Sequence, residues 1–216
     1  METQDIQNAI EELQKQEKRN FKQTFDMIIA LRGLDLKKPD NQLDFYVTLH
    51  YPHGIKRRIC GLVGTELYDQ AKEVFDTVIH VDEFSQYEGN KQKIKHLADN
   101  HDFFVAQADV MAQVAKSFGR VLGPKKKMPN PKAGCVVPPK ADLEAVKENL
   151  HKLVHIQAKS QLMVQASVGK EDLEQDQLID NIQTIYNQVL HTVPGEHNNI
   201  KSVLLKLTMS KPVKLE

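Results

Sequence analysis

The feature that most constrains this chain is a hydrophobic period that changes twice along its length. Phe21, Phe25, Met27, Ile29 and Leu31 alternate with Lys22, Thr24, Asp26 and Arg32. After LDLKKPDNQ, Leu43, Phe45, Val47, Leu49 and Tyr51 alternate with Asp44, Tyr46, Thr48 and His50. A period of two belongs to a strand with one buried and one wet face. From Ile59 the pattern is different. Short apolar runs (CGLVG, VIHV, FFVAQ) are interleaved with helical stretches (TELYDQAKEVF, GNKQKIKHLADNH, DVMAQVAKSF). Strand-helix alternation predicts a parallel sheet covered on both faces. At Leu153 the first pattern returns with LVHIQAK, LMVQASV and KSVLLKLTM. In the last of these, Val203, Leu205 and Leu207 face one way and Ser202, Leu204, Lys206 and Thr208 the other.

The two ends therefore share one character and the middle has another. The predicted fold class is α+β / α/β with two domains: a split α+β domain from residues 1–57 and 153–216, and an α/β domain inserted at 58–152. The first two alternating strands are expected to pair antiparallel across their loop. Helices are expected at Asp5–Lys18 (Ile6, Ile10 and Leu13 inward), at Asp142–Lys152, and where Leu178, Ile179, Ile182, Ile185, Tyr186 and Val189 share a face. The two chain crossings between domains form a natural hinge.

The inserted domain invites a nucleotide. Its first strand-to-helix turn, GLVGTEL, lacks GxGxxG, and no Gly-Lys-Ser/Thr follows the lysine-rich loop. There is no GxSxG elbow for a hydrolase. The pairs His50/His53 and His151/His155 have no acid or cysteine at ligand spacing, so no metal or cofactor is expected. Cys60 and Cys135 form no CxxC pair and are expected to be reduced, buried and inert in a cytoplasmic protein. No apolar run is long enough to span a membrane, and Met1 to Glu12 does not read as a signal peptide.

Residues 119–134, GRVLGPKKKMPNPKAG, place Arg120, Lys125, Lys126, Lys127 and Lys132 in one stretch with no acid. Three prolines predict an ordered, non-helical surface loop. The 29 Lys and Arg are balanced by 29 Asp and Glu, which argues mildly against a dedicated nucleic-acid binder, although a neutral total can conceal a basic face. Further cations stand at Lys15, Lys18 and Arg19; at Lys56, Arg57 and Arg58; at Lys159 and Lys170; and at Lys201, Lys206 and Lys211. A phosphate cradle, a nucleic-acid contact and a solvated charge set all fit these residues.

LGPKKKMPNPKAG resembles the signature of the large-subunit ribosomal stalk protein family (ribosomal protein L-one). KSVLLKLTMSKPVKL is similar to that family's closing strand, which ends Thr-Met-Gly, and RNFKQTFDMIIALRGLDLKKPDNQLD to its first strand and loop in the archaeal style. The resemblance implies a split α+β RNA-binding domain with a Rossmann-like insertion. It also implies binding to large-subunit rRNA at a mobile stalk near the tRNA exit site, release of deacylated tRNA, and repression through the protein's own mRNA. It implies no enzyme and a free monomer; the competing expectation, from the α/β pattern of the inserted domain, is a nucleotide-dependent enzyme. Carried over residue by residue, the rRNA surface falls on Phe21, Thr24, Asp26, Lys159, Thr208, Met209 and Ser210. Thr208 would bond a 2′-hydroxyl or phosphate oxygen, Phe21 and Met209 would offer apolar surface, and Lys159 charge. The signature loop comprises Leu122, Gly123, Pro124, Met128, Pro129, Asn130, Pro131, Lys132 and Gly134, expected to order the top of the inserted domain or to touch tRNA or distant RNA weakly. Ser210 departs from the family's glycine; if the site needs a left-handed backbone, serine there weakens RNA binding. Gln157 is a second departure, where archaeal relatives often carry arginine.

Overall fold

A computed structural model describes residues 2–16, 19–38 and 41–215. The chain divides into two compact units, Met1–Ile55 with Lys152–Glu216, and Lys56–His151.

The discontinuous unit opens with α1 (Thr3–Gln14), whose Ile6, Ala9, Ile10 and Leu13 are buried. Lys18, expected in this helix, lies outside the described residues. β1 (Thr24–Leu31) then buries Phe25, Met27, Ile29 and Leu31 and leaves the alternate residues half-exposed. Phe21, expected in this strand, precedes it. β2 (Leu43–Thr48) follows. The chain returns from the other unit at β7 (Leu153–Ala158) and β8 (Met163–Lys170), then α7 (Gln175–Thr192), β9 (Ile200–Leu207) and the short β10 (Val213–Lys214).

The order β10-β9-β1-β8 makes one sheet, and β2-β7 a separate ribbon. This corrects the expected pairing of the first two strands. β1 is central, with β8 on one edge and β9 on the other, both antiparallel. Its backbone groups are thereby satisfied on both sides, and β2 pairs with β7 instead. The inward residues of β1 share one core with those of α1 and with Leu178, Ile182, Ile185 and Val189 of α7. Helices thus cover one face of this sheet.

The inserted unit contains β3 (Ile59–Val63), α2 (Tyr68–Val74), β4 (Thr77–His80), α3 (Phe84–Tyr87), α4 (Lys91–Asn100), β5 (Phe103–Gln107), α5 (Met111–Leu122), β6 (Val136–Val137) and α6 (Leu143–Lys152), which ends at the return crossing. The strands are parallel in the order β4-β3-β5-β6. Every residue of β3 is buried, as a central parallel strand requires. Cys60 and Leu62 join a core with Ile94, Val114 and Phe118 from α4 and α5. Phe75 lies against Gly61, and Lys147 of α6 donates to Val74 O at 2.6 Å.

Candidate nucleic-acid interface

The start of β1 and the end of β9 meet because Phe25 pairs with Leu207. One step beyond that pair, Thr24 N donates to Thr208 Oγ1 at 3.1 Å, and Thr208 N donates to Thr24 O at 3.1 Å. The Thr208 hydroxyl returns its own proton to Thr24 O at 3.3 Å. In this arrangement the hydroxyl proton is directed at Thr24 O. A lone pair remains to accept from a ribose 2′-hydroxyl.

Gln23 is the joint that the sequence did not reveal. It is 3% exposed. Its Oε1 accepts from Met209 N at 3.0 Å, its N–H donates to Glu171 Oε2 at 3.0 Å, and its O accepts from Glu171 N at 3.1 Å. Those partners are 186 and 148 positions away, so no local pattern could signal them. Around this buried joint, Phe21 is 52% exposed and Met209 62% exposed. Two large apolar side chains thus stand in water on a hydrogen-bonded base.

Ser210 closes the turn. Its N donates to Leu207 O at 3.1 Å, and its Oγ accepts from Leu207 N at 2.7 Å. Among the described residues, the positive-φ residues other than glycine are Lys126 and Glu196. Ser210 therefore occupies ordinary backbone. The left-handed conformation entertained from the family's glycine is not required here.

Asp26 lies on the half-exposed face of β1, opposite Ser167 on one side and Lys206 on the other. It lines a cavity of about 260 Å³ with Ile28, Gln165, Ala166, Ser167 and Lys206. Burial pushes its carboxyl above the ordinary value, and Lys206 pulls it only partly back.

Lys159 stands apart from the other expected residues. It follows β7, in the turn to β8 where Leu162 O accepts from Leu31 N at 2.8 Å. Leu31 is the far end of β1, seven steps from Thr24, or about 24 Å at ~3.4 Å per residue. Lys159 Nζ contacts Asp44 Oδ2 at 2.5 Å. His155 Nε2 contacts Asp44 Oδ1 at 2.6 Å and stacks on Tyr46 with ring centroids 4.5 Å apart. Partial burial raises the Asp44 carboxyl, but bonds from Lys159 and His155 outweigh it and hold it below its usual value.

The signature loop is built from the inside. Residues 119–122 belong to α5, which runs to Leu122 because the first proline comes at 124. Leu122 and Pro129 are buried, and Met128 packs on the core of this unit. A Cβ on Gly123 would meet Gly119 O at 2.8 Å. Asn130 Oδ1 accepts from Lys132 N at 2.9 Å, capping the turn Pro131–Ala133, and Gly134 ends that turn at φ 71°. Lys127 Nζ donates to Ala98 O at 2.8 Å and His101 O at 2.7 Å, at the end of α4. Lys125 pairs with Asp99. Two of the loop's cations therefore bond to the unit itself, while Pro124 and Lys132 are exposed.

At the switch point of the parallel sheet, where α/β folds hold nucleotides, Gln107 Oε1 accepts from Gly64 N at 2.9 Å. A side-chain amide thus occupies the backbone donor after β3. Cys60 and Cys135 are buried, and burial pushes their thiols up to about 12 and about 11. Among the described residues no cluster of three or more His, Cys, Asp or Glu could hold a metal, and no helix is long and apolar enough to cross a membrane.

An antiparallel α+β unit interrupted by a parallel α/β unit defines a two-unit α/β protein with a split first unit. Sequence comparison then gives the family. The chain belongs to the ribosomal protein L1p/L10e family, whose model matches residues 13–211. It is 38% identical over 217 residues to the large ribosomal subunit protein uL1 of Methanothermococcus thermolithotrophicus, covering 100% of both chains. The proteins of the same description from Nanoarchaeum equitans and Methanocaldococcus jannaschii are 37% and 34% identical, with 96% and 100% of this chain covered and 98% and 97% of theirs. This is a family of ribosomal structural proteins, not of enzymes.

Proposed function

We propose that the chain is a constituent of the large ribosomal subunit in the cytoplasm and binds large-subunit rRNA through the discontinuous unit. The observation that carries this reading is the exposure of Phe21 and Met209 beside a rigid polar base. Exposed aromatic and thioether groups suit sugars and bases, and Thr208 offers an acceptor to a 2′-hydroxyl, the group that distinguishes RNA from DNA. Thr24, Asp26 and Ser210 complete this surface. Lys159, in the turn between β7 and β8, makes a separate contact beyond the far end of β1.

The finer roles rest on family membership. We assign the chain to the mobile stalk near the tRNA exit site, where it assists release of deacylated tRNA, and to repression of its own mRNA through the same surface. It acts as a monomer before assembly. The loop at 119–134 orders the inserted unit, as the bonds of Lys127, Lys125 and Asn130 support, and its exposed cations touch tRNA or distant RNA weakly.

The test is the affinity of the full chain for a large-subunit rRNA stalk-base fragment and for a generic RNA duplex. Phe21→Ala and Met209→Ala are each expected to weaken the fragment about tenfold, within the ~1–3 kcal/mol range of base stacking. Equal affinity of the unaltered chain for fragment and duplex would refute the reading.

A further inference from the structure

The sheet face turned away from the helices carries the cavity of about 260 Å³ at Asp26, which exposure of Phe21 and Met209 does not explain. Three strands build it, with β1 in the middle. Asp26 pairs with Ser167 of β8 on one side and Lys206 of β9 on the other. β8 carries an extra residue there, Val168, between the partners of Phe25 and Asp26. Such a bulge bends its strand and re-aims the side chains beside it. Ile28 supplies an apolar floor, and the polar groups of Gln165, Ser167 and Lys206 surround the carboxylate. Among the described residues that carboxylate has no hydrogen-bond partner; it feels only the attraction of Lys206. A half-buried charge without a partner is unfavourable, so an occupant that donates to it removes a penalty as well as making a bond.

The lining fixes the chemistry of that occupant. The volume lies just under the ~300 Å³ at which pockets for drug-sized ligands begin, which suits a single base. An ionised carboxylate only accepts, so using both oxygens needs two adjacent donors. An ammonium only donates, so an acceptor must lie beside them. Among the four RNA bases, guanine alone has this edge, with N1–H and the N2 amino group side by side and O6 next to them. Adenine and cytosine set a ring acceptor beside their amino group, and it would face the second carboxylate oxygen. Uracil has one N–H between two carbonyls.

We infer that this cavity takes one unpaired guanine of the bound RNA, with Asp26 on N1–H and the N2 amino group and Lys206 on O6. The inference rests on the RNA reading above and names the base that its surface selects. Asp26 is two residues from Thr24 on the same face of β1, about 7 Å away at ~3.4 Å per residue. A strand seated at Phe21 and Met209 therefore brings a neighbouring nucleotide to the cavity. In a duplex this edge of guanine is occupied by the pairing base, so an unpaired nucleotide is required.

The experiment replaces each unpaired guanosine of the stalk-base rRNA fragment, one at a time, with inosine, which lacks only the N2 amino group. Affinity is measured for the full chain and for full-length D26N. At one position the unaltered chain is expected to lose roughly tenfold, the size of one charge-assisted bond, and D26N less than threefold. A scan with no such position, or the same loss in D26N, overturns the inference. If D26N lowers the thermal midpoint, Ser167→Leu decides in its place by filling the cavity: a loss on inosine substitution that survives there overturns the inference. Free guanosine monophosphate carries the same edge. Titration with it, against adenosine monophosphate, separates the two sources: guanosine monophosphate binding that D26N abolishes, with a flat inosine scan, assigns the cavity to a free nucleotide and overturns the RNA occupant. Failure of the unaltered chain to prefer the fragment to a generic duplex overturns the function reading and this inference together, whereas that preference with a flat scan overturns only the latter.

Discussion

Thr24 and Thr208 are 184 positions apart and hold each other by three hydrogen bonds, two between backbone and hydroxyl and one between backbones. This staple fixes the base on which Phe21 and Met209 stand. Thr208→Val keeps the shape and removes the hydroxyl. It leaves Thr24 N without its acceptor, at a cost of about 1 kcal/mol. Faster amide exchange at Thr24 and weaker binding of the rRNA fragment are expected together. Unchanged exchange would show that the staple carries no stability.

Ser210 gives a sharper test of the family glycine. The serine hydroxyl accepts from Leu207 N at the last position of β9. Both Ser210→Ala and Ser210→Gly remove that acceptor and are expected to lower stability by about 1 kcal/mol. Because the backbone here is not left-handed, glycine relieves no strain. Ser210→Gly should therefore show no gain in RNA affinity; a tenfold gain would mean that the RNA needs the space of the missing side chain.

The division of the sequence into two patterns was legible because burial imposes the strand period residue by residue. Phe25, Met27, Ile29 and Leu31 are inward, as their alternation requires. Pairing was not legible. β1 and β2 look alike in sequence, and only the return of β8 and β9 from beyond residue 152 decides which strand β1 joins. The end surface was reached through resemblance at Phe21, Thr208 and Met209, not through any local pattern. Gln23 escaped because a single glutamine before a strand has no period. The charge in the signature loop was misleading in another way: Lys127 is conspicuous in composition, yet its ammonium is directed at two carbonyl oxygens of its own unit.

Lys127 should accordingly act on stability. Its two bonds satisfy carbonyls at the end of α4, where helical C=O groups have no intrahelical partner. Lys127→Met preserves the stem and removes the charge. Loss of charge-assisted bonds is expected to cost about 2 kcal/mol, read as a lower thermal midpoint of the inserted unit. Affinity for the rRNA fragment is expected to stay within twofold. A large loss of that affinity with an unchanged midpoint would reassign this lysine to RNA.

The two cysteines are expected to be silent in the folded chain. With thiols pushed up to about 12 and about 11, almost no thiolate exists at pH 8, and burial blocks access as well. A thiol-specific chromogenic reagent should react with neither residue in the native protein and with both in denaturant. Rapid reaction of one in native buffer would reveal local opening at β3 or after the signature loop.

Asp26 carries its carboxyl at a half-buried place on β1. Its carboxyl is raised from 3.8 because burial disfavours the charge. The fold thus holds this proton more tightly than the unfolded chain does. By linkage, the group's contribution is complete below about pH 3.8 and is lost as pH rises through the higher folded value. At neutral pH the charged form is carried at a cost. Asp26→Asn removes the charge and keeps the shape. Thermal denaturation is expected to show D26N more stable than the unaltered chain at pH 7 and equal to it near pH 3. The same variant is expected to bind the rRNA fragment more weakly, because an ionised carboxylate accepts from ribose hydroxyls and base amino groups more strongly than an amide does. Higher stability with full RNA affinity would remove Asp26 from the interface, and lower stability at pH 7 would mean that its attraction to Lys206 outweighs the cost of burial.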